Sequence, residues 1–123
     1  MNISKKIDHI NIIVPDINAS LEWYEKHLGF KIIGHFEKGG FEIYYLDNGS
    51  IVYELFEDKS LSAPVFDHIA YISEDIKKDH EYYLAQGLQV TPINYIDFTW
   101  EKGTYYFFIT GPNGEKVELL QVI

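Results

Sequence analysis

The 123-residue sequence predicts an α+β chain made of two βαβββ units. Three observations point there. DHINIIVPDINASLEWY at 8–24 matches DHIAYISEDIKKDHEYY at 67–83 in 8 of 17 positions, with a constant offset of 59 and no gap. Unrelated segments would share about 1 position in 17 given ordinary residue usage. Each half also closes on an Asn-Gly turn that feeds a final strand, Asn48-Gly49 before SIVYELF and Asn113-Gly114 before EKVELL. Between the first strand and the later ones, each half carries a segment with helical spacing of apolar residues.

The elements follow in order. Residues 7–14 and 66–73 are dense in β-branched and aromatic side chains and read as strands. Helices come next, with Asp16 and Asp75 as N-caps and Gly29 and Gly87 placed to end them. Ile17, Leu21, Tyr24 and Leu28 share one helical face, as do Ile76, His80, Tyr83 and Gly87. Further strands are expected at 31–37, 41–46 and 51–57, then at 90–96, 104–110 and 115–122. Residues 1–123 form a single domain, with repeat 1 at about 1–60, repeat 2 at about 64–123 and Pro64–Phe66 as the linker.

Composition narrows the partners. A net charge of −9 repels polyanions, which argues against nucleic acid and against anionic membrane surfaces. Cysteine is absent, so disulfides, thiolate metal sites and cysteine nucleophiles are excluded together. Asp8, His9 and Asn11 interrupt the N-terminal apolar run, and nothing approaches the roughly 20 apolar residues of a membrane span. A cytoplasmic protein acting on a small molecule is the expectation.

The strand pattern singles out four residues. Side chains alternate between the faces of a strand. Ile10, Ile12 and Val14 suit packing under a helix, which turns His9, Asn11 and Ile13 to the opposite face. His68 falls on the matching face of the second copy. In the closing strands Tyr53 and Leu55 pack, leaving Val52, Glu54 and Phe56 on the open side; Val117 and Leu119 pack, leaving Glu118 opposite. The spacing from His to Glu is 45 residues in one half and 50 in the other. An ionisable side chain amid hydrophobic neighbours needs a compensating partner. A lone His or Glu on a strand is usually solvent-facing or hydrogen-bonded, but a matched set of two imidazoles and two carboxylates suits one divalent metal ion per site: Ni²⁺, Zn²⁺, Co²⁺, Mn²⁺ or Fe²⁺. His9, Glu54, His68 and Glu118 are the expected ligands.

Other polar residues receive plainer readings. His80 takes the place of Leu21 and is expected to help pack its helix; His27 sits late in the first helix, where a cation suits the dipole. His35 has no counterpart in the other repeat, and nothing singles out Glu42 or Glu57. The aromatic runs Tyr95–Trp100 and Tyr105–Phe108 read mainly as core and sheet surface, with Trp100 as a candidate pocket wall.

DHINIIVPDINASLEWYEKHLGFKI, IVYELFE, FDHIAYISEDI and GPNGEKVELLQ together resemble the vicinal oxygen chelate superfamily, and within it the glyoxalase I family, over nearly the whole chain. That resemblance implies the glyoxalase/bleomycin resistance/dioxygenase-like fold, paired as a homodimer. It also implies the ligand set His9, Glu54, His68 and Glu118, and a lyase that isomerises a methylglyoxal–thiol hemithioacetal to a thioester. In such chemistry the metal acidifies a C–H beside two chelated oxygens. Glu118, with Glu54 as the alternative, carries the proton. Glyoxalase I anchors glutathione with an Arg four residues after its first His and an Asn four residues after its first Glu. Here those positions are Ile13 and Asp58, which suit glutathione's carboxylates poorly. Ile13, Phe56 and Trp100 are the expected substrate-pocket residues.

Relatives define the alternatives. Methylmalonyl-CoA epimerases carry Gln where this chain has Glu54, and thiol-transferase resistance proteins use three ligands with a basic cluster that this acidic chain lacks. Extradiol dioxygenases use a three-ligand iron site in longer chains. Bleomycin-resistance-type proteins are non-catalytic binding modules without the four ligands. The presence of all four here favours an enzyme.

Overall fold

The computed structural model describes residues 4–123. Strand β1 (Ile7–Val14) leads into helix α1 (Ile17–Leu28), followed by β2 (Lys31–Lys38), β3 (Phe41–Asp47) and β4 (Val52–Glu57). The second half repeats the pattern with β5 (Val65–Ile72), α2 (Ile76–Ala85), β6 (Asn94–Ile96), β7 (Thr104–Thr110) and β8 (Lys116–Val122). Two compact units result. Among the described residues, one is His9–Asp67; the other is His68–Ile123 together with residues 4–8.

Within the first unit the strands run in the order β1-β4-β3-β2, and within the second β5-β8-β7-β6. These are the same order. In each, the first strand lies parallel to the last, and the last returns antiparallel to its predecessor. The parallel pairing requires a crossover, which the helix supplies.

Local chemistry explains the ends of these elements. The Asp16 carboxylate accepts from the Ala19 N–H and Asp75 from the Lys78 N–H, each at 3.1 Å, satisfying donors that an α-helix leaves open. Gly29 ends α1 at φ 73°, and its N–H donates to the Tyr24 carbonyl. In the first closing turn the Asn48 side chain accepts from the Ser50 and Ile51 N–H groups, while Gly49 takes φ 89°.

The helix-facing sides of the strands form the cores. Ile12, Val14, Phe30, Leu46 and Leu55 are buried in the first unit, with Ile17, Leu21 and Tyr24 of α1 against them. Phe30 stacks on Tyr53 with ring centroids 4.7 Å apart. In the second unit Ile76, Phe107 and Leu119 are buried, flanked by Tyr71, Tyr83, Ile109 and Val117. The His80 ring meets Phe107 edge-on at 4.9 Å, and its Nε2 lies 2.8 Å from the Thr91 carbonyl. It does help pack α2. The same helix buries Asp79, whose oxygens accept from Lys5 Nζ at 2.9 and 3.0 Å and from the Ser73 hydroxyl at 2.6 Å. A buried carboxylate needs that compensation.

Three expectations are corrected. Leu28 is exposed although it shares the apolar face of α1. Val65 and Phe66 belong to β5 rather than to a linker. The strand expected at 90–96 shrinks to Asn94–Ile96, with Val90 making only an isolated bridge to Ile109.

Candidate functional site

The face of each sheet turned away from its helix carries the polar residues. In the first unit β1 presents His9, Asn11 and Ile13, and β4 presents Glu54 and Phe56. Their parallel register sets Asn11 beside Glu54 and Ile13 beside Phe56. Antiparallel pairing then brings Tyr45 of β3 to the other side of Glu54. His9 Nε2 lies 3.3 Å from Glu54 Oε1. Asn11 Nδ2 donates to the same oxygen at 2.9 Å, and the Tyr45 hydroxyl donates to Oε2 at 2.5 Å. All four side chains are buried, Asn11 completely.

Burial alone would raise the Glu54 carboxyl, but the His9 imidazole, the Tyr45 hydroxyl and the Asn11 amide outweigh it. The group is held below its ordinary value. The carboxylate form is therefore the one this environment favours.

The second unit repeats the pair. His68 Nε2 lies 3.2 Å from Glu118 Oε1, and both residues are buried. Ala70 and Phe108 occupy the flanking register positions.

The donor set within each pair suits a metal. A charge-assisted hydrogen bond between imidazolium and carboxylate closes to about 2.7–2.9 Å. Neighbouring ligands on an ion with bonds near 2.1 Å stand about 3.0–3.4 Å apart. The observed 3.2 and 3.3 Å match the second spacing. Imidazole nitrogen with carboxylate oxygen is the chemistry that first-row divalent ions prefer over Mg²⁺ or Ca²⁺.

Other singled-out residues find definite places. Phe56 meets Phe41 edge-on at 5.0 Å, so Ile13, Phe56 and Phe41 make an apolar stretch beside Glu54. Asp58 is exposed and accepts from the N–H and hydroxyl of Ser60 at 3.0 and 2.6 Å; these bonds lower its carboxyl. His35 pairs with Glu42 at 2.7 Å and stacks on Tyr44, while His27 lies against Trp23.

Trp100 sits in the turn between β6 and β7 at φ 53°, a conformation that costs energy in a bulky residue. The turn is held by Gly103 N–H to Thr99 carbonyl at 2.9 Å, by Thr99 to Thr104 hydroxyl at 2.9 Å, and by Tyr95 hydroxyl to Lys102 carbonyl at 2.8 Å. A Cβ on Gly103, at φ 89°, would lie 2.4 Å from the Ile96 carbonyl oxygen. Gly103→Ala is expected to lower stability by about 1–3 kcal/mol from backbone strain alone, read as a reduced melting temperature.

Sequence reading did not single out Tyr45. Its signal was present: counting back from the Asn48-Gly49 turn sets residue 45 opposite residue 54.

The family model described as Glyoxalase/Bleomycin resistance protein/Dioxygenase superfamily matches residues 6–119. The uncharacterized protein YwbC of Bacillus subtilis (strain 168) is 36% identical over 128 residues, covering 97% of this chain and 99% of that protein. Among solved structures, a hypothetical protein from Bacillus halodurans C-125 superposes with a TM-score of 0.80 at 23% identity, covering 98% of this chain and 96% of that one. Methylmalonyl-CoA epimerase from Mycobacterium tuberculosis superposes with a TM-score of 0.79 at 19% identity, covering 95% and 87%. At these identities the two structural likenesses carry the fold.

Proposed function

The chain belongs to the glyoxalase/bleomycin resistance/dioxygenase superfamily, and from that premise we propose that it is a divalent-metal-dependent enzyme that moves a proton beside two chelated substrate oxygens. His9, Glu54, His68 and Glu118 would hold the ion. The observation that carries this reading is the buried His–Glu pair in each half, at 3.3 and 3.2 Å.

A bound divalent ion supplies Lewis-acid polarisation of the substrate's adjacent oxygens. Glu118 takes the proton from the neighbouring carbon and returns it to the next one. The likeness to glyoxalase I supports this assignment, and Glu118 stands in register beside Ala70 and Phe108. Glu54, by contrast, accepts from Asn11 and Tyr45, which stabilise its charge and reduce its appetite for a proton. Ile13 and Phe56 serve as an apolar wall for the substrate, with Trp100 as a further pocket residue.

The reaction is a glyoxalase I-like isomerisation of an α-oxoaldehyde–thiol hemithioacetal to a thioester. The exposed Asp58 anion and the apolar Ile13 support a thiol other than glutathione, since both stand where the related enzyme anchors its carboxylates. The likeness to glyoxalase I also supports a homodimer. Among the described residues no helix is long and apolar enough to cross a membrane.

Stripping the protein with a chelator and reloading it with Ni²⁺, Co²⁺ or Zn²⁺ should restore one ion per chain. The loaded protein should then exchange substrate hydrogen with deuterated solvent, tested with methylglyoxal plus a panel of thiols and with a methylmalonyl thioester. Exchange with the thioester alone would replace the isomerase by an epimerase. Failure to bind any ion would sink the enzyme reading.

A further inference from the structure

The two halves place their carboxylates in the same register but surround them differently. Glu54 lies between Asn11 on β1 and Tyr45 on β3; Glu118 lies between Ala70 on β5 and Phe108 on β7. The likeness extends to the rings. His9 meets Tyr45 edge-on with centroids 5.6 Å apart, and His68 meets Phe108 edge-on at 5.1 Å. Phe108 thus stands where Tyr45 stands without its hydroxyl, and Ala70 where Asn11 stands without its amide.

This comparison isolates two polar groups whose counterparts in the second half are apolar. The second half packs the same positions with apolar side chains. Burying an amide and a phenol hydroxyl costs free energy unless each is hydrogen-bonded, and here both are spent on one carboxylate. Together they engage one oxygen each, which restricts rotation of the carboxylate about its last torsion and turns Oε1 toward His9 Nε2.

We propose that Tyr45 and Asn11 are positioning residues that set the Glu54 carboxylate in its metal-binding orientation before an ion arrives. The inference rests on the metal-dependent reading above. Partners of this kind orient a ligand without touching the ion, and removing one typically weakens metal affinity by about 10–100-fold. A purely structural role would change stability but leave the ion's affinity and ligand field alone.

The test uses Co²⁺ alone, on the full chain. Its affinity is measured by competition with a chelating dye, and its ligand field by visible absorption. Tyr45→Phe and Asn11→Ala are expected to weaken Co²⁺ binding by about 10–100-fold and to alter the visible bands. Phe108→Tyr, which places a hydroxyl at the matching register position beside Glu118, is expected to tighten binding several-fold. This reciprocal variant keeps the question answerable if Asn11→Ala folds poorly. Wild-type binding that is matched in affinity and spectrum by Tyr45→Phe would overturn the inference while leaving the metal reading intact. If the wild-type chain takes up no Co²⁺, the metal reading falls and this inference falls with it.

Discussion

Glu118→Gln is expected to retain bound metal while losing solvent–deuterium exchange by about 10²–10⁴-fold, the range that a positioned proton carrier contributes. Glutamine keeps a carbonyl oxygen for ligation and nearly the same volume, but it cannot accept the proton in transit. The position is buried beside His68, and the near-isosteric amide is expected to fit the same space. Bound metal and exchange rate should therefore separate. Glu54→Gln makes a useful contrast. There the Tyr45 hydroxyl and Asn11 amide are matched to a carboxylate, and an amide NH₂ set against either donor breaks the arrangement. Loss of metal should be prominent in that variant. Equal exchange in Glu118→Gln and the unmodified enzyme would remove Glu118 from the proton path.

Phe107→Ala is expected to destabilise the fold by about 3–5 kcal/mol, a large share of the roughly 5–15 kcal/mol that holds a domain of this size together. The ring is completely buried beside Ile76 and Leu119, with His80 edge-on and Tyr83 close by. Strand alternation then gives the experiment its contrast. Phe107 faces the helix-covered core, whereas Phe108 meets His68 on the opposite side of the same strand. Truncating Phe107 should shift the urea unfolding midpoint strongly, while the folded fraction still binds metal. A shift below 1 kcal/mol would mean that the neighbouring rings refill the site.

Much of this arrangement was legible in the sequence because the duplication carries its own register. His9 and His68 fall at the same offset as the whole matched segment, and alternation then sorts Ile12 and Leu55 from Asn11 and Glu54. The caps at Asp16 and Asp75 were equally readable, since their chemistry is local. The failures share a cause as well. Leu28 fits the apolar face of α1 yet is exposed; periodicity sorts the faces of a helix without saying which positions on a face are covered. The short β6 begins only at Asn94 because Thr91 bonds Phe108 through both its N–H and its hydroxyl, leaving Val90 an isolated bridge to Ile109. Tyr45 escaped notice because Glu54 stands opposite it across a hairpin, nine residues further along the chain. Periodicity within β3 gives no reason to choose it from the adjacent Tyr44.

The Lys5 ammonium that neutralises Asp79 bears on how the duplicated halves could be taken apart. A cut at the repeat boundary would give the downstream fragment its own strands and helix but not the cation its helix encloses. The fragment would inherit a buried anion that keeps the Ser73 hydroxyl but loses its Lys5 cation. Modules that look separable by ancestry are therefore not separable by electrostatics, and a dissection that respects the fold must carry residues 4–8 along with the second half.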